Sequence, residues 1–187
     1  MKSNKIRILI IDNDTKALRN LEKVLKGRDF KIMNFRNFKK GQENRFTHII
    51  LTGGDHWVNL RKFSEEVKLI RNPPVPILGI CYGMQLIGRS FKSTLIDLDR
   101  WIKGNKKVNL RKDKLFKNLP EKVSVFEYRG YALSKAGKDI KVIATSDEGI
   151  EAIKHKSLSV WGVQFHPEVK IEGKNYGEKI INNFLSL

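Results

Sequence analysis

The chain has 187 residues, 40% hydrophobic and 30% charged, a composition that excludes a disordered chain and predicts one domain, residues 1–187, with a substantial core. Lysine and arginine (37) outnumber aspartate and glutamate (20) for a net charge of +17, yet the basic residues are spread along the chain without interleaved aromatics, which argues against a nucleic-acid platform. No apolar run approaches the roughly 18 residues of a membrane helix, no secretory pattern stands at Met1–Lys5, and the single cysteine excludes an internal disulfide, so a cytoplasmic location is expected.

Ile6–Ile11 predicts a buried first strand, and Asp12–Thr15 a turn and helix cap. The helix that follows carries Leu18, Leu21, Val24 and Leu25 on one stripe. Such an opening also suits a phosphoreceiver domain. That reading fails at the next strand, His48–Leu51, which runs into Thr52-Gly53-Gly54-Asp55 and so lacks an acceptor aspartate at its end. Glycines directly after a parallel strand let the backbone approach a ligand and aim an N–H inward; a plain tight turn explains them equally well. A helix over Leu60–Ile70, closed by Asn72-Pro73-Pro74, precedes the most informative stretch, Pro76–Leu86.

That stretch reads as a buried strand, a sharp corner at Cys81 and a helix from Tyr82 to about Ser90. Gly79 and Gly83 clear the space around the corner, and the thiol faces the first free N–H groups of the helix, whose positive end favours a thiolate. Short strands are then expected near Thr94–Leu98, Lys106–Leu110, Val123–Phe126, Ile140–Ala144 and Ile150–Lys154, with no helices between them, which implies antiparallel pairing. The densest basic run, Lys103–Lys117, is expected to be a solvated face or a docking face for an acidic partner, an association that salt would weaken. Leu158–Phe165 returns as a strand that presents His166, and Tyr176–Leu185 closes the chain as a helix with Ile180, Ile181 and Phe184 on one face.

A lone cysteine is most often a small buried hydrophobe. What sets Cys81 apart is the second strand end, Gly162–Glu168, where a histidine is followed two residues later by a carboxylate. An imidazole beside a thiol takes its proton, and a carboxylate behind the imidazole fixes its tautomer, so Cys81, His166 and Glu168 are candidates for nucleophile, base and orienting group.

The two stretches Gly79–Gln85 and Val163–Glu168 resemble the G-I-C-x-G-x-Q and V-Q-F-H-P-E signatures of the class I glutamine amidotransferase family. The resemblance implies an α/β, three-layer, flavodoxin-like glutaminase fold with a mostly parallel central sheet and a small antiparallel sheet. It also implies a Cys81–His166–Glu168 triad, an oxyanion hole from the N–H groups of Gly54 and Tyr82, and substrate contacts from Gln85 and Gly53. Finer likeness at Leu115–Pro120, Glu151–His155, Gln164–Val169 and Asn183-Phe184 is greatest to the glutaminase subunits of two-subunit GMP synthases. That likeness implies no cofactor in this chain, glutamine as substrate, and a separate ATP-pyrophosphatase subunit holding ATP and magnesium as heterodimer partner. Other readings are a component of anthranilate or aminodeoxychorismate synthase, a γ-glutamyl hydrolase, or a non-catalytic regulatory protein. The chain departs from the family pattern at Asp55, where proline is usual, at Asp12-Asn13-Asp14, at Lys92-Ser93, and at Glu127–Tyr131, where a Ser-His-x-Asp loop is usual.

Overall fold

In a computed structural model, which describes residues 5–187, nine strands form one sheet in the order β2-β1-β3-β4-β9-β8-β7-β5-β6. The first five in that order, β2 (Asp29–Asn34), β1 (Arg7–Asp12), β3 (His48–Leu51), β4 (Ile77–Ile80) and β9 (Val160–Val163), are parallel. The remaining four, β8 (Gly149–His155), β7 (Ile140–Ser146), β5 (Thr94–Leu110) and β6 (Lys122–Lys135), are antiparallel and continue the same sheet through the β8–β9 pairing.

The parallel strands read as continuous apolar runs because both faces are covered. Ile8 and Ile10 of β1 enter one core with Leu21, Leu25, Ile180, Ile181 and Phe184, under helices α1 (Leu18–Val24) and α4 (Tyr176–Phe184). Leu9 and Ile11, pointing the other way, enter a second core with Leu69, Ile70, Leu86 and Ile87, under α2 (Ser64–Arg71) and α3 (Tyr82–Ser90). Two helical layers on one sheet give the three-layer architecture that the family resemblance implied. No helix among the described residues is long and apolar enough to cross a membrane.

Three elements differ from the sequence expectations. β2 has no counterpart among them: half its residues are polar, as suits an edge strand with one partner, β1. Leu60–Ile70 becomes helical only from Ser64, the residues before it forming turns. The two short strands expected at Thr94–Leu98 and Lys106–Leu110 are one bent strand of 17 residues, its register shifted between Asp97 and Ile102 around Asp99 at φ 53°.

This long β5 pairs along its length with β6, and the ribbon curls back over the C-terminal edge of the parallel strands. Glu127–Tyr131, where the family pattern has a loop, is therefore strand. Arg129, fully buried, holds it down by donating to Glu127 Oε2 and to Glu151 Oε1 of β8, both at 2.8 Å. Ser146 Oγ donates to the same Glu151 oxygen at 2.6 Å.

Candidate active site

Cys81 and His166 lie about 85 residues apart in sequence, but β4 and β9 are parallel neighbours in register, Ile80 opposite Val163, so both strands deliver their next residues to one edge. Cys81 N–H donates to Val163 O at 2.8 Å, extending that ladder by one bond. The chain then turns sharply, with Cys81 at φ 50° and ψ −105°, a strained conformation for a residue with a Cβ. Close packing compels the glycines beside it. A Cβ on Gly79 would lie 2.5 Å from the Gly83 carbonyl carbon, and one on Gly83 would lie 2.4 Å from Leu51 O. The corner is thus clamped between β3, β4 and β9.

His166 N–H donates to Phe126 O of β6 at 2.8 Å, fixing its backbone against the curled ribbon. Its ring is 8% exposed and Nδ1 lies 2.7 Å from Glu168 Oε1, which leaves Nε2 without a hydrogen-bond partner on the side of Cys81. Burial alone would lower the imidazole pKa, but the Glu168 carboxylate and the neighbouring sulfur outweigh it and hold the ring well above its ordinary 6.5. The ring therefore keeps its proton to higher pH than a free imidazole, as expected for one set beside a carboxylate.

Gly53 packs beside both groups: an added Cβ would stand 3.2 Å from His166 Cε1 and 3.7 Å from Cys81 Cβ. Gly54 adjoins it on a cavity of about 260 Å³ that Cys81, His166, Phe126, Tyr128, Lys16 and Asp55 also line. Tyr82 is the first residue of α3, so its N–H has no acceptor within the helix. Its side chain turns away into the core against Phe63 and His56. The space is smaller than the roughly 300–1,000 Å³ of drug-sized sites, and its mouth carries a cation beside an anion, Lys16 Nζ and Asp55 Oδ2 at 2.5 Å.

Gln85, a substrate contact by the resemblance, is buried behind the nucleophile corner. It is 3% exposed, does not line the cavity, and donates from Nε2 to Tyr131 O at 3.2 Å and to Gln164 Oε1 at 3.3 Å. The sulfur has two polar neighbours to which the sequence assigned no role. Gln164 Nε2 donates to Sγ at 3.6 Å, and Sγ–H points to Tyr128 O at 3.8 Å. Gln164 stands inside the second family signature; nothing in the sequence announced Tyr128, whose carbonyl arrives only because the β5–β6 ribbon folds over the corner.

A glutamine amidotransferase class-I family model matches residues 9–187. One chain of the glutamine-hydrolysing GMP synthase of Pyrococcus abyssi, named as a subunit of that enzyme, is 34% identical over 150 residues, 74% of each chain. The GMP synthase of Clostridium botulinum is 36% identical over 139 residues, 73% of this chain and 27% of that protein, so this chain spans about a quarter of the length of such relatives. A Thermoplasma acidophilum crystal structure, assigned provisionally as a GMP synthase subunit, superposes with a TM-score of 0.88 at 27% identity, covering 97% of this chain and 93% of that one. By the match over residues 9–187 and the 34% identity to a relative of similar extent, the chain belongs to the class I glutamine amidotransferase family.

Proposed function

We propose that this protein hydrolyses glutamine to glutamate and ammonia through a thioester on Cys81 and passes the ammonia to a separate ATP-pyrophosphatase subunit that converts XMP to GMP. The observation that carries the chemistry is the junction of β4 and β9, where a thiol in a strained corner meets an imidazole backed by a carboxylate. Cys81 Sγ attacks the side-chain amide carbon as the thiolate, paired with the charged His166 ring, and the N–H groups of Gly54 and Tyr82 hold the oxyanion. His166, charged in the resting site, gives its proton to the leaving nitrogen, and ammonia departs. The neutral ring then takes a proton from water, whose attack on the thioester frees glutamate, its carboxyl proton passing to solvent, and restores the thiolate beside the charged ring. Gly53, bare beside both reacting side chains, leaves room for the amide.

The acceptor rests on the names of the relatives, which include a GMP synthase subunit of similar extent. ATP and magnesium belong to the partner in this reading, a heterodimer working in the cytoplasm. The test is ammonia release from glutamine by wild type and Cys81→Ala, with and without a candidate ATP-pyrophosphatase subunit, followed by GMP formation from XMP. Release by wild type alone or with the partner, abolished in Cys81→Ala, supports the glutaminase step. GMP formation with glutamine but not with the variant supports the acceptor, and release without GMP formation refutes it.

A further inference from the structure

The sulfur of Cys81 ends a chain of buried amides. Tyr131 O, Gln85, Gln164 and Sγ follow one another at 3.2, 3.3 and 3.6 Å, with Gln85 3% and Gln164 0% exposed. The polarity of the chain is fixed at its far end. A backbone carbonyl can only accept, so Tyr131 O requires the nitrogen of Gln85; that nitrogen's second hydrogen occupies Gln164 Oε1, and Gln164 is left with its NH₂ toward the sulfur. Gln164 cannot drift from this post, because its own N–H is bonded to Glu151 O of β8 at 2.8 Å.

We propose that Gln164 is a fourth catalytic residue, donating from Nε2 to the Cys81 thiolate, and that Gln85 is the positioning residue that orients it. The proposal rests on Cys81 being the nucleophile. A hydrogen bond to an ionised sulfur is roughly twice as strong as one to a neutral group, so the donor favours the thiolate over the thiol. Tyr128 O acts in the opposite sense, accepting from S–H and repelling the ionised sulfur. Both carbonyls belong to β6, so one strand sets the two influences on the nucleophile: directly through Tyr128, and through two amides from Tyr131. The other titratable groups facing the sulfur are His166 after β9 and, around the cavity, Tyr128, Lys16 and Asp55.

The test uses the full chain, whose single cysteine makes alkylation by iodoacetamide a report on Cys81 alone. Gln164→Met keeps the length of the side chain and removes the donor; Gln164→Glu keeps its shape and replaces the donor with an acceptor. Far-UV circular dichroism and thermal melting establish that each is folded, and the folded variant of the pair carries the test. Loss of one charge-assisted bond predicts an alkylation pH profile displaced upward by about one unit, with alkylation about tenfold slower on its rising limb. It also predicts a kcat for ammonia release at least about tenfold lower, with KM within about threefold. Gln85→Leu should move the profile the same way by less, since the amide of Gln164 survives without its guide. A wild-type alkylation profile in the Gln164 variants overturns the proposal. If the profile moves while wild type releases no ammonia with any partner, the thiolate relay stands and the glutaminase reading falls.

Discussion

Replacing Glu168 by glutamine keeps the side chain's shape and removes its charge, which isolates what the carboxylate does for His166. Oε1 lies 2.7 Å from Nδ1 in a site where the ring is nearly sealed from solvent. Opposite unit charges about 4 Å apart attract by ~4 kcal/mol at an effective dielectric near 20, so the charge is the larger part of what the substitution removes. The amide oxygen retains part of the hydrogen bond but not the charge that raises the imidazole pKa, so that pKa should fall. Because the ring would then give up its proton more readily in the resting site, kcat should fall roughly 10²–10³-fold, with KM little changed. Proton NMR of the ring, assigned against His166→Gln, follows the titration, and ammonia release follows the rate. The same linkage bears on stability. A histidine whose folded pKa is raised contributes stability fully present below about pH 6.5, the unfolded value, and lost as pH rises through the folded value. The difference in melting temperature between wild type and Glu168→Gln should therefore be largest near pH 6 and shrink above it. An imidazole that titrates identically in both proteins would refute the reasoning.

Glu66 of α2 is buried with its Oε1 accepting from Asn13 Nδ2 at 3.2 Å, and burial pushes its pKa up from 4.5 to about 8. A carboxylate with a raised folded pKa costs stability as pH climbs from 4.5 to about 8, up to ~5 kcal/mol at ~1.36 kcal/mol per unit, so Glu66→Gln should match wild type at pH 5 in urea denaturation and exceed it at pH 8. Gly83→Ala would bring a Cβ to 2.4 Å from Leu51 O, a backbone atom that cannot rotate away; a loss of about 1–3 kcal/mol by the same assay is expected, together with slower alkylation of Cys81. Arg129→Met leaves Glu127 and Glu151 buried without their cation and should cost about 3–5 kcal/mol; stability within 1 kcal/mol of wild type would show that the pair is neutralised some other way. Lys16→Ala should raise KM for glutamine several-fold with kcat nearly unchanged, since Lys16 lines the mouth of the cavity and touches none of the reacting atoms.

Residues 76–90 were legible because their signals are local. A continuous Ile-Leu-Gly-Ile run needs both faces buried, proline opens it, and glycines on either side of Cys81 admit only a tight corner before the helix. α4 was equally plain, since Ile180, Ile181 and Phe184 share one face, all buried. β2 was not, because an edge strand with a polar rim has no pattern distinct from a loop. The bend that turns two expected strands into β5 is a register shift, set by pairing with β6 rather than by the residues at the bend.

The sequence by itself determined which thiol, imidazole and carboxylate are candidates for the chemistry and the order of the elements that carry them, because residue types, turn glycines and apolar periodicity act over a few neighbours. Only the tertiary structure decided which groups meet. Parallel pairing of β4 with β9 brings His166 to Cys81; the fold of the β5–β6 ribbon brings the Tyr128 and Tyr131 carbonyls over the corner and turns Gln85 inward, toward Gln164. Contacts of that kind join residues about 40 to 80 positions apart, and burial demands partners for most of the polar atoms they contain. That demand is imposed by the packed interior, where no short stretch of sequence can express it.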